Sequence, residues 1–209
     1  MSSLERLLKD GATGLGLSLT DEQSAALLHY VQLLEKWSRT YNLTSVRDPR
    51  LIVTRHLLDS LSVAPYLQGS SIVDVGTGGG LPGIPLALVS PAREFVLLDS
   101  NRKKTRFVTQ AAIELGLKNV AVVHARAGTY KPGRLFDTVI SRAFSSLREM
   151  LSHAGHLCSP EGVLLAMKGV YPEEELQDLP TDYRIRQVIA LAVPGEPGAR
   201  HLVMMEHAR

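Results

Sequence analysis

Apolar and polar residues follow two different rhythms along the chain. From Leu4 to about Leu67 the apolar residues recur at the spacing of one face of an α-helix, and no stretch is typical of a strand. From Ser71 onward, short apolar runs rich in β-branched residues alternate with helical stretches. The pattern predicts a helical N-terminal extension over residues 1–67 and an α/β domain over residues 68–209, joined in one compact unit.

Capping residues predict where the helices begin. Thr20 precedes Asp21 and further polar residues, which is typical of an N-cap and a first helical turn. Pro49 follows Asp48, so a second helix should begin there and end near residue 65. Further helices are predicted over residues 82–89, 102–115 and 146–158.

Seven strands are predicted, over residues 72–75, 94–98, 120–123, 138–141, 163–167, 183–193 and 201–206. The first five alternate with helices, which is typical of a doubly wound, mostly parallel sheet covered on both faces. A loop rich in proline and glycine at residues 194–198 joins the last two, which should form a C-terminal antiparallel hairpin.

Composition narrows the class of protein without identifying it. With 44% hydrophobic and 21% charged residues and a net charge of +2, the chain lies in the ordinary globular range. The single cysteine, Cys158, excludes an intrachain disulfide and a cysteine-cluster metal site, and we expect no metal. We place Cys158 at a helix end as a small apolar residue.

The first residues lack a continuous apolar run, so we expect a cytoplasmic protein without a membrane span. We also expect a monomer, since no long apolar seam is left over.

A glycine-rich loop, D-V-G-T-G-G-G-L-P-G at residues 74–83, follows a predicted strand and precedes a predicted helix. Glycines allow backbone to approach a ligand closely. Gly78, Gly80 and Gly83 match the dinucleotide fingerprint G-x-G-x-x-G. In the other register, Asp74 precedes Gly76, Gly78 and Gly80, which resembles the first motif of class I methyltransferases. An acid there would repel a pyrophosphate and suit the cationic S-adenosylmethionine, so we favour the second interpretation.

Asp99 ends the next predicted strand, 23 positions beyond Gly76. Rossmann-like folds place a carboxylate there to accept hydrogen bonds from ribose hydroxyls. Asp99 could instead be the N-cap of the following helix, although Ser100 could also serve as that cap. The spacing from the glycine loop favours ribose binding.

Six segments carry a resemblance to one family. They are W-S-R-T-Y-N-L-T-S-V-R-D at 37–48, R-H-L-L-D-S-L at 55–61, the glycine loop through L-P-G-I-P-L at 81–86, L-L-D-S at 97–100, V-I-S-R-A at 139–143 and M-K-G at 167–169. Together they resemble the bacterial small-subunit rRNA guanine-N7 methyltransferases, also called glucose-inhibited division protein B. The resemblance implies a Rossmann-like class I methyltransferase fold and S-adenosylmethionine as cofactor.

The resemblance also implies roles for individual residues. Gly76 and Leu81 would line the cofactor loop, Asp99 would hold the ribose, and Arg142 would make a further cofactor or catalytic contact. Ala127 and Gly128 fall where the family contacts adenine. Many relatives carry glutamate at the position of Gly128, so a side-chain contact there is lost in this chain. The full cofactor set is Asp74, Gly76, Gly78, Gly80, Leu81, Asp99, Ala127, Gly128 and Arg142.

By the same resemblance, the substrate is a guanine in 16S rRNA, either as free RNA or in an assembling 30S particle. Guanine N7 carries a lone pair and no proton, so its methylation needs positioning and no general base. The candidates for RNA contact are Arg47, Arg55, His56 and Lys168. We interpret the basic cluster of Arg102, Lys103, Lys104 and Arg106 as a solvated helix face. The alternatives are a non-catalytic ribosome-assembly or RNA-binding protein with this fold, and a methyltransferase for another substrate.

Overall fold

The computed structural model describes residues 2–208 of the chain. Its strands are β1 Ser71–Val75, β2 Glu94–Asp99, β3 Val120–His124, β4 Phe136–Ser141, β5 Cys158–Lys168, β6 Tyr183–Ala190 and β7 His201–His207. They form one sheet in the order β3-β2-β1-β4-β5-β7-β6, in which β1 to β5 are parallel and β7 runs antiparallel to both β5 and β6. The predicted α/β fold with a C-terminal antiparallel hairpin is therefore confirmed.

The helices in residues 2–208 are α1 Ser3–Gly14, α2 Asp21–Tyr41, α3 Pro49–Ile52, α4 Asp59–Leu61, α5 Gly83–Val89, α6 Arg102–Glu114, α7 Leu147–Ala154 and α8 Glu173–Gln177. The predicted cap of α2 is confirmed, because the Thr20 side chain accepts from the Gln23 N–H. Asp48 caps α3 in the same way, with Pro49 as its first residue.

The helix predicted to run from Pro49 to about residue 65 is interrupted. Between α3 and α4, Val53–Leu58 adopts a π-helical turn. A π-helical turn changes the backbone hydrogen bonds while leaving the apolar spacing nearly helical, so the hydrophobic pattern does not reveal it. The turn carries Arg55 and His56, whose positions are described below.

The helix predicted over residues 146–158 divides into two parts: α7, which ends at Ala154, and a 3₁₀ turn over Gly155–Leu157. Cys158 caps the end of that turn and is also the first residue of β5. Tyr183 packs so closely against Gly155 that a Cβ there would overlap its ring. This contact comes from a distant strand, so the local pattern contains no sign of it. Cys158 is a buried apolar residue, as expected.

The N-terminal helices and the sheet share one hydrophobic core. Leu8, Leu27 and Leu57 belong to the same buried cluster as Ile72 of β1 and Phe107 of α6. The boundary between residues 67 and 68 stays a prediction.

No helix within residues 2–208 is long and apolar enough to cross a membrane. No group of three or more metal-ligating side chains occurs in that range either.

Candidate active site

Two cavities lie at the carboxyl ends of the parallel strands, where ligands bind in open α/β sheets. The first, of about 430 Å³, is here called the glycine-loop cavity. Its lining comprises Val75, Gly76, Leu98, Asp99, Ser100, Lys104, Ala125, Arg126, Ala127, Gly128, Ala143, Phe144, Glu149 and His153. The second, of about 390 Å³, is here called the basic cavity. Its lining comprises Arg55, His56, Asp59, Arg142, Met167, Lys168, Gly169, Leu191, Arg200 and His201.

A larger cavity of about 530 Å³ lies at the amino ends of β2, β3 and β4, beside Glu94, Lys118 and Arg134. It contains none of the predicted site residues. The size of a cavity therefore does not identify the candidate site. The chemistry of the residues that line each cavity identifies it.

The glycine loop is fastened to the neighbouring strand and leaves its surface open. The N–H groups of Gly76 and Thr77 donate to the Leu98 carbonyl at 2.8 and 3.0 Å. Gly76 has a φ of +72°, and a Cβ on it would lie 2.7 Å from the Cβ of Ala143. Only glycine fits this position, and its missing side chain leaves room for a ligand to reach the backbone.

The Asp99 carboxylate, 7% exposed, ends β2 at the wall of the glycine-loop cavity. One oxygen accepts from the Gly78 N–H at 2.9 Å and the other from the Asn101 N–H at 2.8 Å. The helix cap is Asn101, which accepts from the N–H of Lys103, so neither Asp99 nor Ser100 caps α6. A carboxylate oxygen accepts more than one hydrogen bond, which leaves Asp99 able to accept from hydroxyls in the cavity.

Asp74 lies beneath the loop and does not reach the cavity wall. It is fully buried, and one of its oxygens accepts from the Thr77 hydroxyl at 2.6 Å and from the Gly83 N–H at 2.8 Å. The other oxygen has no hydrogen-bond partner. Burial raises the pKa of Asp74 to about 6. The carboxyl group thus holds both ends of the loop, and its geometry does not support direct contact with a cofactor.

Three other loop residues predicted to bind the cofactor also lie outside the cavity lining. Leu81 is buried in the main hydrophobic cluster. Gly80 packs against Ile84 and the hydroxyl of Tyr30. Gly78 contributes its N–H to Asp99, and so acts on the cavity through that side chain. Of the loop residues predicted to bind the cofactor, only Gly76 lines the cavity, and the others act from behind it.

Ala127 and Gly128, predicted to contact adenine, line the glycine-loop cavity in a short 3₁₀ turn after β3. A Cβ on Gly128 would lie 3.4 Å from the Cδ2 of His153 on α7. His153 stacks on Phe144 with ring centroids 6.2 Å apart. Sequence reasoning missed both rings, because nothing local indicates that α7 turns this face toward the cavity.

The basic cavity brings together four predicted residues, namely Arg142 and the RNA candidates Arg55, His56 and Lys168. The fifth, Arg47, is exposed in the loop before α3 and is not among the lining residues. Asp59, Arg200 and His201 also line the cavity and were missed. Asp59 stands in the matching segment at residues 55–61, and only its place in that motif could have indicated it.

Asp59 connects the arginines of this cavity. Its buried carboxylate accepts from Nη1 of Arg142 and from Nε of Arg200, each at 3.1 Å. The nearby carboxylate of Glu196 lies 3.1 Å from Nε of Arg55 and 3.7 Å from Nη2 of Arg200. Three guanidinium groups therefore share two carboxylates, which leaves one net positive charge in the network.

His56 is held in a neutral form. Its Nδ1 lies 3.0 Å from the Arg55 carbonyl, and its Nε2 lies 2.6 Å from the Thr44 hydroxyl. Burial and the charge of Arg142 lower the pKa of His56. A neutral ring that donates from Nδ1 and accepts at Nε2 satisfies both contacts. His56 therefore fixes the loop that carries Thr44, and neither ring nitrogen is free to take a proton from a ligand.

One peptide bond separates the two cavities. Arg142 and Ala143 follow β4 directly, and Arg142 lines the basic cavity while Ala143 lines the glycine-loop cavity. A ligand in the glycine-loop cavity could thus present a reacting group to a ligand in the basic cavity. Lys168, at the end of β5, donates to the Ser145 carbonyl at 3.1 Å and lies 2.8 Å from Glu175.

Comparison with known proteins agrees with this geometry. The family model described as rRNA small subunit methyltransferase G matches residues 23–203. Two curated relatives carry the name ribosomal RNA small subunit methyltransferase G. The one from Nitrosococcus oceani is 50% identical over 98% of this chain and 96% of its own, and the one from Stutzerimonas stutzeri is 52% identical over 98% and 95%.

Solved structures show the same fold at low identity. A SAM-dependent methyltransferase from Aquifex aeolicus superposes with a TM-score of 0.59 at 20% identity, covering 79% of this chain and 97% of its own. The O-methyltransferase TomG from Streptomyces achromogenes superposes with a TM-score of 0.60 at 18% identity over the full length of both chains. The fold is thus the Rossmann-like methyltransferase fold predicted from the sequence. On the family model and the relatives together, the chain belongs to the rRNA small subunit methyltransferase G family.

Proposed function

We propose that the protein transfers the methyl group of S-adenosylmethionine to N7 of a guanine in 16S rRNA. The observation that carries the proposal is the adjacency of two cavities of different chemistry, one walled by Gly76 and Asp99 and the other by arginines, on either side of the Arg142–Ala143 peptide. Membership of the family supports the same reaction class and substrate class.

The glycine-loop cavity fits S-adenosylmethionine. Its volume of about 430 Å³ lies in the range of small-molecule sites. Gly76 leaves the backbone accessible, Asp99 has lone pairs left for ribose hydroxyls, and Ala127 and Gly128 offer a wall without long side chains. When bound, S-adenosylmethionine supplies a methyl group on a positively charged sulfur. We infer that Asp74, Gly78, Gly80 and Leu81 shape the loop from beneath.

The chain's own task is to position and orient the guanine. N7 has no proton to remove, and His56, which lines the basic cavity together with Arg142, already uses both ring nitrogens inside the protein. Arg142 forms one hydrogen bond to Asp59 and keeps further N–H groups for a ligand. Donation from Arg142 to guanine O6 would orient the base, because arginine reads the O6 edge of guanine.

The remaining cations of the basic cavity would hold the RNA backbone. Arg55 and Arg200 now share Glu196, and Lys168 pairs with Glu175. We infer that phosphates take over part of these contacts when RNA binds, which makes binding sensitive to salt. Arg47 stays a candidate for contact farther along the RNA. The proposal places the protein in the cytoplasm, as a monomer acting on free rRNA or on an assembling 30S particle.

The proposal is tested by methyl transfer from labelled S-adenosylmethionine to small subunits from a strain that lacks the protein. We expect label in 16S rRNA as 7-methylguanine, a loss of at least about tenfold in Arg142→Gln, and parent activity in Arg186→Gln, whose exposed arginine lies on β6. Label in another nucleotide would contradict the N7 assignment. Cofactor binding without label would favour the alternative of an assembly protein or of another substrate.

A further inference from the structure

A second basic surface lies on the other side of the glycine-loop cavity. The amino-terminal part of α6 carries Arg102, Lys103, Lys104 and Arg106. Arg102, Lys103 and Arg106 are exposed, and Lys104 is half-buried at the cavity wall. The reaction proposed above makes no use of the three exposed cations.

An open groove of about 490 Å³ runs along this part of α6. Its lining includes Arg102 and Arg106, which are one helical turn apart, together with Trp37 of α2 and His124 of β3. The ring of Trp37 packs against Tyr41 and Phe107 with centroids 5.4 and 5.6 Å away. This groove, here called the α6 groove, thus combines two cationic side chains with a packed aromatic ring.

The four cations at the start of α6, Arg102, Lys103, Lys104 and Arg106, lack an internal counter-charge in the described part of the chain. Among residues 2–208, none of the four has an acidic partner within ion-pair distance, whereas Arg148 and Arg184 each pair with an acid. The first turn of α6 contains no acidic residue. Cations at the amino end of a helix are disfavoured by the helix dipole and repel one another. An arrangement that works against folding and has no internal partner points to an external anion.

The α6 groove and the glycine-loop cavity are neighbours. The Ser100 carbonyl lies 3.0 Å from Nε2 of His124, and Ser100 lines the cavity while His124 lines the groove. Lys104 faces the cavity and the next residue, Thr105, faces the groove. A polyanion in the α6 groove would therefore pass the mouth of the cavity.

We propose that the α6 groove binds the sugar-phosphate backbone of the RNA substrate, with Arg102 and Arg106 contacting phosphates and Trp37 beside the chain. The inference rests on the proposed function and adds to it a second contact, on the side of the cofactor away from the basic cavity. Contact on both sides would fix the direction in which the RNA crosses the active site, because phosphate contacts set register and orientation.

The test is a double variant, Arg102→Gln with Arg106→Gln, compared with Lys118→Gln with Lys131→Gln. The control pair removes the same charge from two exposed lysines that form no ion pair within residues 2–208 and do not line the groove. Methylation of protein-free small-subunit rRNA should show a KM raised about tenfold in the first variant, and a salt dependence of binding lowered by roughly two phosphate contacts. The kcat at saturating RNA and the affinity for S-adenosylmethionine should stay near the parent values. The control should resemble the parent throughout.

Trp37 gives a local readout, since it is the only tryptophan of the chain. RNA should change its fluorescence in the parent, and at higher RNA concentration in the double variant. Equal KM in the parent and the double variant, or equal losses in both variant pairs, would overturn the inference and leave the proposed function standing. A defect of the double variant that is seen only with assembled particles would mean that the groove contacts a ribosomal protein, and it would overturn the inference as well. A parent protein that methylates no small-subunit rRNA would overturn the proposed function, and this inference with it.

Discussion

The buried carboxylate of Asp59 accepts a hydrogen bond from Nη1 of Arg142 at 3.1 Å, across 83 residues of sequence. Its other oxygen accepts from Arg200 at the same distance. Asp59 is thus the fixed point that holds the proposed guanine-orienting side chain at the junction of the two cavities. The negative charge of Asp59 also offsets the repulsion between the two guanidinium groups that it holds in the cavity.

Asp59→Asn should lower both stability and methylation. The variant keeps an acceptor oxygen but loses the charge that balances Arg142 and Arg200, whose side chains are 28% and 26% exposed. Because both partners reach solvent, we expect a loss of about 2 kcal/mol in the free energy of unfolding, below the range for fully buried pairs. The kcat/KM for rRNA should fall at least about tenfold. Denaturant unfolding and the methylation assay measure the two effects.

The control for this prediction is Asp10→Asn, which changes an exposed acid on α1. It should leave stability and activity near the parent values. Affinity for S-adenosylmethionine should be unchanged in both variants, since Asp59 does not line the glycine-loop cavity. If Asp59→Asn were as active as the parent, Arg142 would not depend on this contact.

Gly76→Ala should abolish cofactor binding at a modest cost in stability. The new Cβ would lie 2.7 Å from Ala143, at a φ of +72°, and would project where the loop borders the cavity. We expect a rise of at least about a hundredfold in the Kd for S-adenosylmethionine, measured by calorimetry. The new alanine would also be strained by the positive φ, which costs about 1–2 kcal/mol in the free energy of unfolding.

The variant Gly16→Ala separates the effect of backbone strain from the effect of a Cβ that blocks the cavity. Gly16 has nearly the same φ, +74°, but a Cβ there meets no atom within 4 Å. Both variants should lose stability because of the positive φ, and Gly76→Ala should lose more because its Cβ also meets Ala143. Only Gly76→Ala should lose the cofactor. Cofactor binding retained in Gly76→Ala would remove Gly76 from the proposed site.

Features encoded by adjacent residues could be predicted from the sequence. The alternation of strands and helices, the caps at Thr20 and Asp48 and the glycine loop each depend on local spacing, and the structure contains all of them. Asp99 could be placed at the cavity because a strand end and a fixed distance from the loop locate it. Its hydrogen bond to Gly78 follows from the same local geometry but needs coordinates to be seen.

Features that join distant segments could not be predicted. Asp59 meets Arg200 across 141 residues, and no periodicity relates the two. The separate tasks of the glycine-loop residues could not be predicted either, because the motif does not show that Asp74 turns into the protein while Gly76 lines the cavity. The α6 cations were interpreted as a solvated face, since the pattern does not show that a groove and Trp37 lie beside them.

Cys158 should be unreactive in the folded protein. It is 3% exposed, and burial raises the pKa of its thiol to about 12. The thiolate is the reactive form, so alkylation near pH 8 should be at least about a thousandfold slower than for a free thiol. Mass spectrometry after iodoacetamide treatment measures this directly, with the denatured protein as the control. Rapid labelling of the native protein would mean that the start of β5 opens readily.

Asp74 should make the folded protein less stable as the pH rises from about 4 to about 6. Burial raises the pKa of this carboxyl group from its ordinary value of 3.8 to about 6. Between these values the folded protein keeps the proton and the unfolded chain has released it, so the protonated form favours folding at low pH. This contribution is fully present below about pH 4 and is lost as the pH rises through the folded pKa. A shift of about two pKa units corresponds to about 3 kcal/mol.

Asp74→Asn isolates this contribution from those of the other acids, because the amide has no carboxyl proton to lose and keeps an oxygen for Thr77 and Gly83. The free energy of unfolding of the parent minus that of the variant should therefore fall by about 3 kcal/mol between about pH 4 and pH 7. Denaturant titrations of both proteins across this interval measure the difference. A constant difference would show that Asp74 has the same pKa in the folded and unfolded protein. A difference that grows with pH would show that the folded protein stabilises the carboxylate, and the loop would then depend on its charge rather than on its hydrogen bonds alone.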